Sequence, residues 1–157
     1  PIQAAPLVYA YYAKTINVDP DIFFSMALYE SGRTVKGVYG PWPWTLNIRN
    51  KPFYYDSRLE AYQDLMAELN NGNVDVAIGP MQVYWRYNSS YFDSPWDALN
   101  PYLNIKAGAS VLAYFYSVKG SLWAAVGAYH SPNSQEIADS YIKQVKIKHK
   151  YVLERKL

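Results

Sequence analysis

The sequence has no cysteine, which removes disulfides, thiolate nucleophiles and zinc–sulfur sites together and leaves the redox compartment open. Its histidines are His130 and His149, too few to suggest an imidazole metal site. No run of about 18 uncharged apolar residues occurs, so no helical membrane span is expected. An excess of one charge sign is lacking too. The formal net charge is +2, and bulk electrostatics do not call for nucleic acid. The chain also begins without an initiator methionine or a basic-then-apolar leader. It is therefore read as a mature or trimmed form with any signal peptide already removed.

What is present suits one domain over residues 1–157, long enough to bury a sizeable core, with no repeat, linker or low-complexity tract. Half the residues are hydrophobic and 18% are charged, an ordinary globular balance. Aromatic residues are the excess, with 17 Tyr and 5 Trp. Two accounts are open. The rings serve a core and surface rich in amphipathic side chains, or they line a groove whose flat faces and hydroxyls suit sugar rings.

The pattern predicts mostly helix. Residues 3–14 read as a first helix. Asp19-Pro20-Asp21 supplies a capping carboxylate, a proline at the first helical position and an acid near the positive end, so a second helix runs to Gly32, read as a left-handed terminator. Residues 44–48 and 53–56 are short β-prone runs around Arg49-Asn50-Lys51-Pro52, a hairpin pattern. Ser57 with Glu60 forms a capping box for a helix to about Asn70. Residues 74–78 read as a third strand, and Pro80 as the opening of a helical turn. Asn100-Pro101 starts a long helix that Gly120-Ser121 breaks. Ser121 caps the next, and a last helix runs from about Ser134 toward Tyr151. The fold class expected is α+β, predominantly α-helical, with a small antiparallel sheet in the first half.

Glu30 is out of place on this map. Phe23, Met26, Ala27 and Glu30 share one helix face by the i, i+3, i+4, i+7 spacing, so the carboxylate continues an apolar stripe. It also lies in the last helical turn, whose partial negative charge disfavours an anion. Both effects favour a carboxyl that keeps its proton, which general-acid attack on a glycosidic oxygen requires. The plainer account is a Glu at the edge of the stripe, bonded to a neighbouring Arg or Tyr.

Other segments then align with it. Ala27-Leu28-Tyr29-Glu30-Ser31-Gly32 resembles the Glu-Ser motif of the soluble lytic transglycosylase family, which shares the goose-type lysozyme fold. Ile78-Gly79-Pro80-Met81-Gln82 resembles its Gly-Leu-Met-Gln motif, and Ala128-Tyr129-His130 its Ala-Tyr-Asn motif. Asn100-Pro101, Asn104, Ala107-Gly108 and Leu112 resemble the helix between them. The order matches and the likeness covers about residues 18–145. Pro80 replaces a leucine, His130 an asparagine and Ser131-Pro132 the glycine after it. An insertion holding residues 41–47, with a Pro-Trp-Thr-Leu-Asn segment, resembles transglycosylases of conjugative elements, pili and secretion machines.

The resemblance implies cleavage of the β-1,4 bond between N-acetylmuramic acid and N-acetylglucosamine, without cofactor or metal. Glu30 would be the acid and base, and Ser31 would hold the carboxylate's neighbourhood. Thr45, Met81 and Gln82 would contact the saccharide, and Tyr129 would hydrogen-bond near the carboxyl. It also implies peptidoglycan strands as partner, a conjugation, pilus or secretion apparatus nearby, and a periplasmic or cell-surface location. No second acid shares Glu30's apolar setting: Asp56, Asp75, Asp93 and Asp97 fall in turns, strand edges or caps, with Asp97 read as a plain cap. Two other readings stand beside this one, a goose-type lysozyme hydrolase with a second carboxylate and a non-catalytic glycan-binding scaffold. Lys143, Lys146, Lys148, Lys150, Arg155 and Lys156 read as a solvated helix face, or as a contact to acidic wall polymer or a partner protein.

Overall fold

The computed structural model describes residues 1–155, so Lys156 lies outside the described residues. Helix α1 (Leu7–Thr15) leads to α2 (Pro20–Ser31), whose cap is the one expected: the Asp19 carboxylate accepts from the Asp21 amide at 2.8 Å. Ile22, Phe23, Phe24, Met26, Ala27 and Leu28 are all buried, so α2 is a core helix covered on several sides, by α1 among others. Full burial of Phe23, Phe24 and Leu28 contributes about 1.5–3 kcal/mol each.

The chain leaves α2 directly into an antiparallel hairpin of β1 (Gly32–Val35) and β2 (Val38–Pro41), turned by Lys36 and Gly37 at φ 50° and 79°. That hairpin is absent from the sequence reading, and Gly32 is not the left-handed terminator expected. It is extended, at φ −64° and ψ 133°. Its glycine is needed for space instead, because a Cβ there would collide with the Leu28 carbonyl and the Tyr39 hydroxyl.

A second sheet has the order β4-β3-β5-β6, all antiparallel, from β3 (Thr45–Ile48), β4 (Lys51–Tyr54), β5 (Val76–Ile78) and β6 (Val83–Tyr84). Arg49 and Asn50 take φ 51° and 62° in the β3–β4 turn, the pair of positive angles a two-residue hairpin of this hand requires. Pro52 sits on the edge strand β4, where a missing N–H is tolerated. Helix α3 (Arg58–Asn70) is capped by Ser57, whose Oγ accepts from the Glu60 amide at 3.2 Å.

After β6 come α4 (Trp85–Asn88), a 3₁₀ turn (Ser89–Tyr91) and α5 (Pro95–Ala98). The cap of α5 is Ser94, which accepts from the Asp97 amide, so Asp97 is a first-turn residue and not the cap. Pro80 opens no helix. Residues 79–82 form a tight turn between β5 and β6, because Gly79 and Gln82 both adopt positive φ. Helices α6 (Pro101–Lys119), α7 (Leu122–His130) and α8 (Gln135–Arg155) complete the fold, the first two capped by Asn100 and Ser121 as expected. The α+β, mainly helical class with antiparallel sheet in the first half holds, with two sheets in place of one.

Two hydrophobic cores result. One joins α1, α2, α6, α7 and α8 around Phe23, Met26, Met81, Leu112, Val126 and Tyr141. The other joins β3, β5, α3 and α5 around Leu46, Leu65, Ile78 and Leu99. The chain crosses from the second to the first between Ile78 and Met81. On α8 the basic side chains are partly engaged. Lys146 lies over Trp123, Lys148 over Tyr39, and Lys150 pairs with Glu154 at 4.0 Å.

Candidate active site

The apolar stripe places Glu30 as its spacing predicts. Phe23, Met26 and Ala27 have no exposed surface, and the Glu30 side chain is 8% exposed. The carboxylate has specific neighbours, however, which the stripe does not reveal. Its Oε2 accepts from the Tyr141 hydroxyl at 3.2 Å, across 111 positions of sequence. Its Oε1 lies 3.7 Å from His130 Nδ1, an ion-pair distance longer than a hydrogen bond. The His130 ring stacks flat on Tyr141, with centroids 4.5 Å apart and planes 8° from parallel. Tyr29 stands edge-on to both rings, at 5.2 Å from Tyr141 and 6.2 Å from His130.

These groups share a protonation logic. Burial, then the Glu30 charge, raises the Tyr141 and Tyr129 phenols well above their ordinary range, and burial with Glu30 raises Tyr29 too. All three stay neutral, and Tyr141 remains a donor to the carboxylate. His130 feels opposing influences: burial lowers its pKa, while the Glu30 carboxylate facing it raises it, and the net direction is upward.

Beside the carboxyl lies the 79–82 turn, held from four elements. Ser31, the residue after Glu30, donates its hydroxyl to the Pro80 carbonyl at 2.8 Å. Tyr129 of α7 donates to the Met81 carbonyl at 2.6 Å. Asn104 of α6, fully buried, accepts from the Met81 amide at 3.0 Å and donates to the Ile78 and Ala98 carbonyls at 2.8 and 3.0 Å. The Thr45 carbonyl on β3 accepts from the Gly79 amide at 2.8 Å and from Gln82 Nε2 at 3.2 Å. Gly79, at φ 78°, runs so close to Asn104 that a Cβ would lie 2.5 Å from its Cγ. Gln82 is held at φ 50° though it is not a glycine, a strained backbone that its Nε2 bonds to Gly79 and Thr45 carbonyls help to fix.

The structure thus gathers Ser31, Thr45, Met81, Gln82 and Tyr129 around one turn, but it changes what several can do. Ser31, Thr45 and Met81 are at most 1% exposed, so their side chains have no surface to offer a saccharide. Thr45 spends its hydroxyl on the Trp42 carbonyl at 2.8 Å, and Met81 packs on Gly108 in the helical core. They support the turn, while Gln82 and Tyr129, both half-buried, are the members with exposed surface. Tyr129 bonds Met81 and not the carboxyl, because the donor within reach of Glu30 is Tyr141. Sequence reasoning missed Tyr141 altogether. It noted His130 as a departure from a motif and as one of two histidines too few for a metal site, and Asn104 only as part of a motif.

Beyond the turn the two hairpins carry aromatic surface. The Arg33 guanidinium lies 4.7 Å over Trp42 and 5.1 Å over Tyr54, and Trp42 Nε1 donates to the Tyr55 carbonyl at 2.7 Å. The account of a core and surface rich in aromatic rings fits these positions, since Tyr9 and Tyr141 are core residues while Phe53 and Tyr54 are exposed. A separate solvent-open hollow lies between Tyr91–Asp93 and the start of α6, edged by Asp97, Leu103 and Lys106, and Glu30 does not line it. Among the described residues no group of three or more His, Asp or Glu side chains is placed to hold a metal.

Comparison with known proteins gives a family match. The family model described as the transglycosylase SLT domain matches residues 8–152, which takes in Glu30, the 79–82 turn, Tyr129, His130 and Tyr141. The searches of curated proteins and of solved structures give no match.

Proposed function

The chain belongs to the transglycosylase SLT domain family, whose activity is peptidoglycan cleavage, and we propose that Glu30 is its single catalytic acid and base. The observation that carries this is the carboxyl itself. It is almost withdrawn from water at the end of a core helix, held by a phenol donor, and set one residue from the serine that ties down the neighbouring turn.

In this reading a glycan strand lies along the turn with the bond between N-acetylmuramic acid and N-acetylglucosamine at Glu30. The carboxyl gives its proton to the leaving oxygen as the C1–O bond breaks, and the substrate's own acetamido group relieves the oxocarbenium-like state. The carboxylate then takes the proton of the muramyl 6-hydroxyl as that oxygen closes on C1. A 1,6-anhydro product forms and no water is consumed. Most glycosidases need paired carboxylates, with substrate-assisted exceptions. The exception is supported by the setting. Asp56, Asp75 and Asp93 are exposed, Asp75 is engaged with Arg86 and Tyr84, and the groups meeting Glu30 among the described residues are a phenol and an imidazole. Gln82 contacts the saccharide, while Ser31, Thr45, Met81 and Tyr129 act by shaping the turn. The same reading puts the protein in the periplasm or at the cell surface. The insertion of residues 41–47 carries its proposed association with a conjugation, pilus or secretion apparatus.

Digestion of purified peptidoglycan with product masses read out tests this. Anhydro ends, lighter by one water than reducing ends, are expected from the wild type and none from Glu30→Gln. Reducing ends would establish a goose-type hydrolase in its place, and binding to sacculi without cleavage a scaffold.

A further inference from the structure

A one-carboxylate mechanism needs no imidazole beside the acid, yet His130 faces Glu30 with Nδ1 3.7 Å from Oε1. Three further features make this a place for a cation. His130 is the last residue of α7, where unpaired carbonyls carry partial negative charge. Its ring lies flat on Tyr141, and an aromatic face favours a cation. The same Tyr141 bonds the other oxygen of the Glu30 carboxylate, so one ring aligns both partners. The titratable groups around it are Glu30 and Tyr29 from α2, Tyr141 from α8 and its own neighbour Tyr129. The phenols are all raised and stay neutral, so they keep their protons.

Resting on the assignment of Glu30 as the acid, we propose that His130 is a positioning residue that stores the proton Glu30 delivers. At rest an imidazolium faces a carboxylate. As the glycosidic oxygen arrives, the 3.7 Å gap shortens to a charge-assisted hydrogen bond of about 2.8 Å. The Nδ1 proton passes to Glu30 and from there to the leaving oxygen, and a neutral imidazole remains. When Glu30 takes the muramyl 6-hydroxyl proton, the pair recovers its single proton. No water, electron or net proton is consumed.

The consequence is a pH signature. With the proton kept on an imidazole, the alkaline limit of cleavage follows the pair and not an isolated carboxyl. Rate–pH profiles on purified peptidoglycan are compared for wild type, His130→Asn and His130→Gln, with Glu30→Gln as the inactive control. In both His130 variants the alkaline limb moves to lower pH by at least about one unit, with kcat reduced more than KM is raised. Superimposable profiles would overturn the proposal and leave Glu30 in place, whereas cleavage by Glu30→Gln at the wild-type rate would overturn the reading beneath it. A second readout does not depend on the His130 variants folding. The chain has two imidazoles, so NMR follows His130 directly, and its titration midpoint falls in Glu30→Gln. An unchanged midpoint contradicts the proposal.

Discussion

Tyr129 and Met81 stand 48 positions apart in sequence and are joined by a 2.6 Å hydrogen bond from the phenol to the carbonyl oxygen. Burial and the nearby Glu30 charge keep that phenol protonated, so the bond persists across the working pH range. Tyr129→Phe leaves the Met81 carbonyl without this donor. A loss of about 1–3 kcal/mol in stability is expected, read as a lower urea midpoint with an unchanged m value. The turn loosens with it, so peptidoglycan cleavage falls as well.

Asn104 and Gly79 form a coupled pair. Asn104→Ala removes three hydrogen bonds inside the fold and costs at least about 3 kcal/mol. Gly79→Ala adds a Cβ against the same side chain at positive φ, a left-handed conformation costing about 1–2 kcal/mol for a non-glycine residue before any collision. With Asn104 truncated the collision disappears. The double variant is therefore less destabilised than the sum of the singles, and additive values in a denaturation cycle would contradict this account.

Tyr141→Phe keeps the ring under His130 and deletes only the donor to Glu30. A hydrogen bond to a charged group is worth about 1.5–3 kcal/mol, so kcat is expected to fall roughly 10- to 100-fold with KM little changed. Steady-state kinetics on soluble glycan fragments decides it.

Asp75 provides a marker of acid stability away from the site. Arg86 and then Tyr84, both hydrogen-bonded to it, hold its carboxyl down at about 2. The native state thus binds this proton less readily than the unfolded chain. The stability it adds is complete above the ordinary carboxylate range and is lost as pH falls toward 2. Melting temperatures from pH 7 downward should drop more steeply for wild type than for Asp75→Asn, and parallel curves would refute the assignment.

Signals held within a few residues were legible in the sequence. The caps Asp19, Ser57, Asn100 and Ser121 each declare a helix because a short side chain meets an amide two or three positions on. The Glu30 stripe is equally local. What escaped depends on distance in the chain. Tyr141 reaches Glu30 only once α8 packs against α2, and no periodicity in either helix encodes that meeting. Thr45 and Met81 read as groove residues because a motif reports proximity to a site and not which way a side chain faces. Gly32 misled for a related reason: a glycine that avoids a collision and one that reverses the chain look alike until Tyr39 is in place.

The crossing at residues 79–82 has a mechanical consequence. Here the chain passes from the sheet core to the helical core, and this passage is fastened by Ser31, Thr45, Asn104 and Tyr129 at once. It behaves as a weld and not a hinge, so the position of the turn against α2, β3, α6 and α7 is fixed when the chain folds.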